Sequence, residues 1–258
     1  MIIKVKFQKS NLNFLLKKHS DFSSFYQVYV ERSYPHLMEL IKEGDTIVDA
    51  GANIGIFTTI ASVLTGKSGL VIAVEPDPDN LATLKENVRI NKLDNVIIID
   101  KALFNKSNEV LNFYQDGVMS RIVIDDKNSD NLISVRTITF DDIIHDYDVR
   151  PNVMKMDIEG AEYYALQKST DLMKSINYLE AEIHSPECEI VLRETSNLDL
   201  ISSPVQNMNR VIGFTFRHPI KTLKLEYFNH FETTKRILRE RSSEYQNFPK
   251  IFFGKKKQ

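Results

Sequence analysis

Apolar residues in this chain fall into two alternating patterns, short continuous runs and stripes at helical spacing. Thr46–Ala50, Leu70–Val74 and Val96–Ile99 are short runs rich in β-branched residues, and Val153–Met156 reads as a fourth buried strand. Such runs suit strands covered on both faces. Ile56–Leu64 carries apolar residues at helical spacing and is closed by Gly66, Lys67 and Gly69. A second helix, within Asp77–Lys92, is entered through Pro76-Asp77-Pro78-Asp79 and carries Leu81, Leu84, Val88 and Ile90. Strand, helix, strand, helix in this order predicts an α/β fold, Rossmann-like and doubly wound. Its sheet is mostly parallel because the crossovers suit only a right-handed parallel return.

Outside that core the pattern changes. Ile2–Phe7 reads as a short strand followed by helical material bearing Leu12, Leu15, Leu16, Phe22, Phe25, Tyr29, Leu37, Leu40 and Ile41, a layer to pack on the sheet. From it Glu31 and Tyr34 are candidates to reach a ligand. Leu103–Arg136 turns to short alternating runs, an antiparallel excursion in which Gly117, Met119, Ser120 and Arg121 are the expected contact points. Thr137–Asp146 reads as a short capped helix. Ile176–His184 is a strand whose two-residue period puts Tyr178, Glu180, Glu182 and His184 on one face. Beyond Pro186 the expectations are a helix (Glu187–Thr195), a polar loop (Ser196–Met208), a strand-like run (Arg210–Phe216), a charged helix (Phe228–Arg241) and a last short strand (Ile251–Phe253). The Lys255–Lys257 run reads as a solvated tail. The whole, 1–258, is expected to be one domain: a cap over 1–44, a ligand-binding core over 45–187 and a C-terminal part over 188–258.

Composition narrows the function classes. A chain of 258 residues can bury one large α/β core. A formal net charge of −2 gives no reason to expect wrapping of nucleic acid or adhesion to an anionic membrane. The single cysteine, Cys188, has no internal disulfide partner, and no charged-then-apolar signal segment opens the chain. Both favour a reducing, cytoplasmic setting. No apolar run approaches the roughly 20 residues that span a bilayer. Oligomeric state is not readable.

The chemistry starts at the glycine turn, Asp49-Ala50-Gly51-Ala52-Asn53-Ile54-Gly55. A dinucleotide site uses a glycine in the middle so that backbone can approach a pyrophosphate. Here Asn53 stands in the way, and no phosphate-cradling loop ending in Gly-Lys-Ser or Gly-Lys-Thr is present. A phosphate-free adenosyl ligand with an amino-acid end suits the same scaffold. Asp49 would meet its ammonium, backbone N–H groups its carboxylate, Glu75 at the end of the second strand its ribose hydroxyls, and Asp100 its adenine amino group. That ligand is S-adenosylmethionine.

A second motif, Met154-Lys155-Met156-Asp157-Ile158-Glu159-Gly160-Ala161-Glu162, crowds three acids at a strand-to-helix turn. Acids are ordinarily favoured near a helix N-terminus, but Asp157 would end a strand beside the one that carries Asp49, facing the same crevice. Transfer of a methyl group to a hydroxyl needs alignment and a proton acceptor. Asp157 is the first candidate for that role and His184 its competitor. A divalent ion would go to Asp157, Glu182 and His184, since hard cations prefer carboxylates, but no metal is expected.

The three stretches VDAGANIGIFT, VIAVEPDPDN and MKMDIEGAE, in this order, resemble the FkbM family of class I S-adenosylmethionine-dependent methyltransferases, with a match from about Gly44 to Glu187. The resemblance implies a seven-stranded sheet with the last strand antiparallel, and O-methylation of a hydroxyl on a small molecule or glycan. It implies a cofactor lined by Asp49, Gly51, Ala52, Asn53, Gly55 and Thr58, with Glu75 and Pro76 at the ribose. It also places Asp100, Lys101 and Ala102 by the adenine and Asp157 by the methyl donor. Two other readings keep the pocket: a methyltransferase with an RNA or protein acceptor, for which the Lys-rich tail and Lys221–Arg241 leave room, and a non-catalytic adenosyl-binding module.

Overall fold

The computed structural model describes residues 1–115, 121–123, 132–204 and 250–256. The chain opens with a hairpin, β1 (Ile2–Phe7) and β2 (Ser10–Leu15), followed by α1 (His19–Phe25), one π-helical turn (Tyr26–Val30) and α2 (Pro35–Leu40). Next come β3 (Thr46–Ala50), α3 (Ile56–Thr65), β4 (Leu70–Val74), α4 (Pro78–Ile90), β5 (Val96–Ile99) and the two-residue β6 (Ala102–Leu103). An excursion through β7 (Val110–Tyr114), β8 (Arg121–Val123) and β9 (Leu132–Ile138) leads to α5 (Phe140–Tyr147). The chain then forms β10 (Val153–Met156), α6 (Glu162–Leu166), α7 (Thr170–Ser175), β11 (Tyr178–Ile183), α8 (Pro186–Thr195), β12 (Leu198–Pro204) and β13 (Lys250–Lys256).

Among the described residues seven strands form the main sheet, in the order β12-β13-β11-β10-β3-β4-β5. β11, β10, β3, β4 and β5 run parallel, and β13 lies antiparallel between β11 and β12. The expected α/β sheet with its last strand antiparallel is what forms. From β3 the chain goes first to β4 and β5 on one side and later to β10 and β11 on the other. The crevice where this direction reverses lies above the carboxyl ends of β3 and β10, where ligands bind in such sheets.

The element boundaries follow local chemistry. Asp77 caps α4 by accepting from the Asp79 and Asn80 amides, with Pro78 in the first turn. Thr139 caps α5 by accepting from the Asp142 amide. The interiors of β3, β4 and β10 are buried almost throughout. One face of the sheet packs α5, α6, α7 and α8 through Phe140, Ile144, Leu166, Leu172 and Leu192. On the other face Leu37 and Ile41 pack with Phe57 and Ala61, beside a cluster of Phe14, Leu16, Phe25, Ile56 and Ile60.

Three expectations are corrected. The segment after Phe7 is not helical at first: Leu12 and Phe14 alternate with Asn11 and Asn13, both apolar side chains are buried, and β2 results. Its free edge is closed by α4, since Asn13 N donates to Asn91 Oδ1 (2.8 Å) and Leu15 N to Asn87 Oδ1 (2.6 Å). The polar loop expected over Ser196–Met208 contains β12, paired with a strand far along the chain. Lys255 and Lys256 belong to β13 rather than to a tail. The antiparallel excursion is present as a second sheet, β6-β9-β7-β8. Gly117, Met119 and Ser120 lie outside the described residues, as do Arg210–Phe216, Phe228–Arg241 and Lys257. Among the described residues no helix is long and apolar enough to cross a membrane.

Candidate functional site

Gly51 leaves β3 with φ +77° and lies against the strand-to-helix turn after β10. A Cβ on Gly51 would stand 1.8 Å from the Asp157 carbonyl oxygen. Gly55 closes the turn at φ +82°, where a Cβ would meet Leu84. Asn53 itself adopts φ +51°, a conformation that asparagine tolerates better than most residues. Its Oδ1 accepts from the Ile54 amide (2.7 Å) and the Ser24 hydroxyl (3.1 Å).

The loop amides are spoken for. Gly51 N and Ala52 N donate to Val74 O, Asn53 N to Glu75 Oε2, Ile54 N to Asn53 Oδ1 and Gly55 N to Ala52 O. Each of these five amides thus has an acceptor within the protein.

Glu75 ends up where its place at the end of β4 suggested. Its side chain is buried beside the turn, with Oε2 accepting from Asn53 N (2.8 Å) and Oε1 from Asp77 N (2.9 Å). Burial pushes its carboxyl up to about 7, against the lowering effect of the two amides. The Asn80 side chain also bonds this carboxyl, and with three donors the group still has lone-pair capacity for one more. Asp100 is exposed just past β5, Lys101 is half-buried and Ala102 is buried in β6, all at the same edge of the sheet as Glu75 and Pro76.

Asp49 has partners inside the protein. It is fully buried, and the ammonium it meets is the protein's own: Lys155 Nζ lies 3.4 Å from Asp49 Oδ1. Thr58, also fully buried, donates its hydroxyl to Asp49 Oδ2. Lys155 is not among the expected site residues; a charge inside an otherwise apolar strand is the sequence signal that marks it. The registers align Asp49, Lys155 and Glu180 across three neighbouring strands on one face. Glu180 is paired in turn, accepting from Leu37 N (3.1 Å) and lying 2.9 Å from His36 Nδ1.

One step nearer the strand ends lies the acidic group. Asp157 Oδ2 accepts the Tyr34 hydroxyl (2.8 Å), while its Oδ1 is buried without a hydrogen-bond partner. His184 Nδ1 is 3.0 Å from Glu162 Oε1, and its Nε2 is 3.4 Å from Glu159, 3.9 Å from Glu182 and 4.0 Å from Asp157. Glu162 is fully buried and also accepts from the Ile158 and Gly160 amides, so it fixes the turn. Asp157 and His184 are thus brought together, and Tyr34, Glu159, Glu162 and Glu182 join them.

Charges in this group are strongly coupled. Burial draws the His184 imidazole down, but the carboxylates of Glu162, Glu159 and Glu182 outweigh it and hold the ring well above its ordinary value. Burial, with the Asp157 charge next, pushes Glu159 to about 8 and Glu182 to about 7. The protonated imidazole is thus favoured by its acidic neighbours, and the acids in turn are pushed toward their neutral forms. Among the described residues, Asp157, Glu159 and His184 offer ligand atoms within 4.8 Å of one another. The convergent third residue is thus Glu159 where the sequence suggested Glu182.

Comparison with known proteins identifies a family and a fold. The profile of the methyltransferase FkbM domain matches residues 49–207. A hexuronic acid methyltransferase of Haloferax volcanii is 29% identical over 150 residues, which cover 58% of this chain and 60% of that protein. A ribosomal protein L11 methyltransferase of Anoxybacillus flavithermus is 29% identical over 89 residues, 34% of this chain and 28% of that protein. The chain therefore spans less than two thirds of the length of these curated relatives. The crystal structure of a putative rRNA-methylase from Clostridium thermocellum superposes with a TM-score of 0.50 at 12% identity, covering 95% of this chain and 99% of that one. At that identity the likeness is one of fold.

Proposed function

This chain belongs to the methyltransferase FkbM domain family, and we propose that it transfers the methyl group of S-adenosylmethionine to a hydroxyl oxygen of a small molecule or glycan. The observation that carries the reading is Asp157. It stands at the switch point of the sheet, against the glycine turn, with one oxygen held by Tyr34 and the other buried and unpartnered. The sugar substrate in the name of the Haloferax relative supports the glycan side of the proposal.

The residues present fit an adenosyl ligand. Gly51, bare of a side chain, lets the turn after β3 close on the Asp157 backbone so that both strand ends face one crevice, and Glu75 is an acceptor at its rim for ribose hydroxyls. Pro76 would stand with Glu75 at the ribose, Asp100, Lys101 and Ala102 would flank the adenine, and Ala52, Asn53 and Gly55 would shape the turn. Asp49 and Thr58, buried as a pair, would act from behind the loop. Bound there, S-adenosylmethionine supplies an electrophilic methyl group on a sulfonium centre.

Asp157 then accepts the proton of the acceptor hydroxyl through Oδ1, the atom that lacks a donor. Tyr34, raised well above the ordinary phenol value by burial and by Asp157, stays protonated and fixes the carboxylate's orientation. The carboxylates around His184 raise its imidazole well above the ordinary value, which favours Asp157 over His184 as the proton acceptor and leaves His184 to balance the surrounding acids.

Calorimetric titration with S-adenosylmethionine and S-adenosylhomocysteine, followed by a mass-detected methylation panel of neutral and acidic glycans, tests the proposal. Binding of both nucleosides and a mass gain on a hydroxyl is expected. Failure to bind either one overturns it.

A further inference from the structure

Lys155 is buried, carries a charge, and has no part in proton transfer as described above. If it were present only to neutralise Asp49, its donors would be directed at that carboxylate. The shortest contacts lie elsewhere. Nζ donates to Gly51 O at 2.6 Å and to Ala50 O at 3.2 Å, whereas Asp49 Oδ1 is 3.4 Å away and counts as having no hydrogen-bond donor. The Gly51–Ala52 peptide is thereby held at both ends, its carbonyl by Lys155 and its N–H by Val74 O.

The same ammonium lies 5.3 Å from the centre of the Tyr34 ring, close enough for a cation–π attraction. Tyr34 in turn donates to Asp157. One buried cation thus touches both halves of the site, the turn after β3 and the ring that orients the carboxylate after β10.

We propose that Lys155 is a positioning residue, whose ammonium fixes the Ala50 and Gly51 carbonyls and the Tyr34 ring so that the amino-acid end of the cofactor meets a preformed wall. The inference rests on the cofactor reading above. Thr58 and Asp49 complete it by keeping the ammonium from drifting along the strand: Thr58 holds one carboxylate oxygen, and the other attracts Nζ.

The test uses Lys155→Met and the double variant Asp49→Asn/Lys155→Met, in which no buried charge is left without its counterpart. Affinities for S-adenosylhomocysteine and for adenosine are measured by titration, with melting temperature as a control. Adenosine has no amino-acid end and relies on the Glu75 side. The expected result is a double variant that melts near the wild type and binds adenosine as before, but binds S-adenosylhomocysteine at least tenfold more weakly. Equal weakening for both ligands, or unchanged S-adenosylhomocysteine affinity, overturns the proposal. Failure of both variants to fold overturns it too, since Lys155 would then be holding the fold as a whole. A wild-type protein that binds neither ligand instead removes the cofactor reading on which the proposal stands.

Discussion

Tyr34 and Asp157, far apart in sequence, share a hydrogen bond of 2.8 Å at the mouth of the crevice. The tyrosine comes from the N-terminal layer and the aspartate from the end of the fourth core strand, so the site is complete only when that layer is docked. Tyr34→Phe removes the donor and keeps the ring. We expect methyl transfer to slow by about tenfold, the consequence of a less well aligned base, with S-adenosylhomocysteine affinity unchanged. Asp157→Asn removes the base itself and is expected to lower single-turnover rates by about 10²–10⁴. A folded Asp157→Asn protein with wild-type turnover would place the proton acceptor elsewhere.

Glu75 should report cofactor binding through protons. Burial holds its carboxyl at about 7. Ribose hydroxyls donating to it favour the ionised form, so its pKa falls on binding and a proton is released near neutrality. Affinity for S-adenosylhomocysteine should therefore rise with pH up to about 8 and then level off. Titration at pH 7 in buffers of different ionisation enthalpy measures the released proton directly. Glu75→Gln should weaken binding and abolish the release, and a variant that still releases it would assign the proton to another group.

The acidic cluster makes stability depend on pH with a definite sign. Glu159 has a folded pKa of about 8 against a reference of 4.5, so the folded state holds its proton more tightly than the unfolded chain does. Its contribution is most favourable below about 4.5 and is lost as pH climbs toward 8. His184 acts in the same sense: its raised folded pKa stabilises fully below 6.5, and that stabilisation disappears as pH rises through the folded value. Glu159→Gln should therefore gain melting temperature relative to the wild type between pH 5 and pH 8.5. A difference that stays flat over that range would show that the charges are not coupled as the geometry demands.

Gly51 is expected to tolerate no side chain. Alanine there would face the left-handed backbone cost of about 1–2 kcal/mol and a Cβ placed 1.8 Å from the Asp157 carbonyl oxygen. The two together predict a loss of more than about 2 kcal/mol in urea denaturation. Gly160→Ala is the control, because its Cβ would meet nothing within 4 Å and only its φ of +95° is unfavourable. Equal losses at the two positions would mean that the close approach at Gly51 does not matter.

The parallel core was legible because its signals are local. β-branched runs ending in glycine or in an acid, with helical stripes between them, specify strands, crossovers and the edge where a ligand sits. Thr46–Ala50, Leu70–Val74, Val96–Ile99 and Val153–Met156 form strands with those bounds. β2 was also written locally, in the alternation of Leu12 and Phe14, but the apolar residues that follow obscured it. β12 was not legible, since it is a strand only through pairing with β13, more than forty residues later.

By itself the sequence determined the α/β class, the order of the core elements, and the juxtaposition of the glycine turn with Asp157 and Glu75. Each is written in patterns local to single stretches, together with the strand order those patterns imply. Only the tertiary structure decided what those side chains do. Asp49 pairs with Lys155, the loop amides bond internally, and Tyr34 reaches Asp157. His184 has its pKa raised because Glu159, Glu162 and Glu182 converge on it from a turn, a helix start and a strand. The physical reason is range: strand and turn formation are set by neighbours in sequence, whereas burial, charge coupling and hydrogen-bond partners are set by neighbours in space.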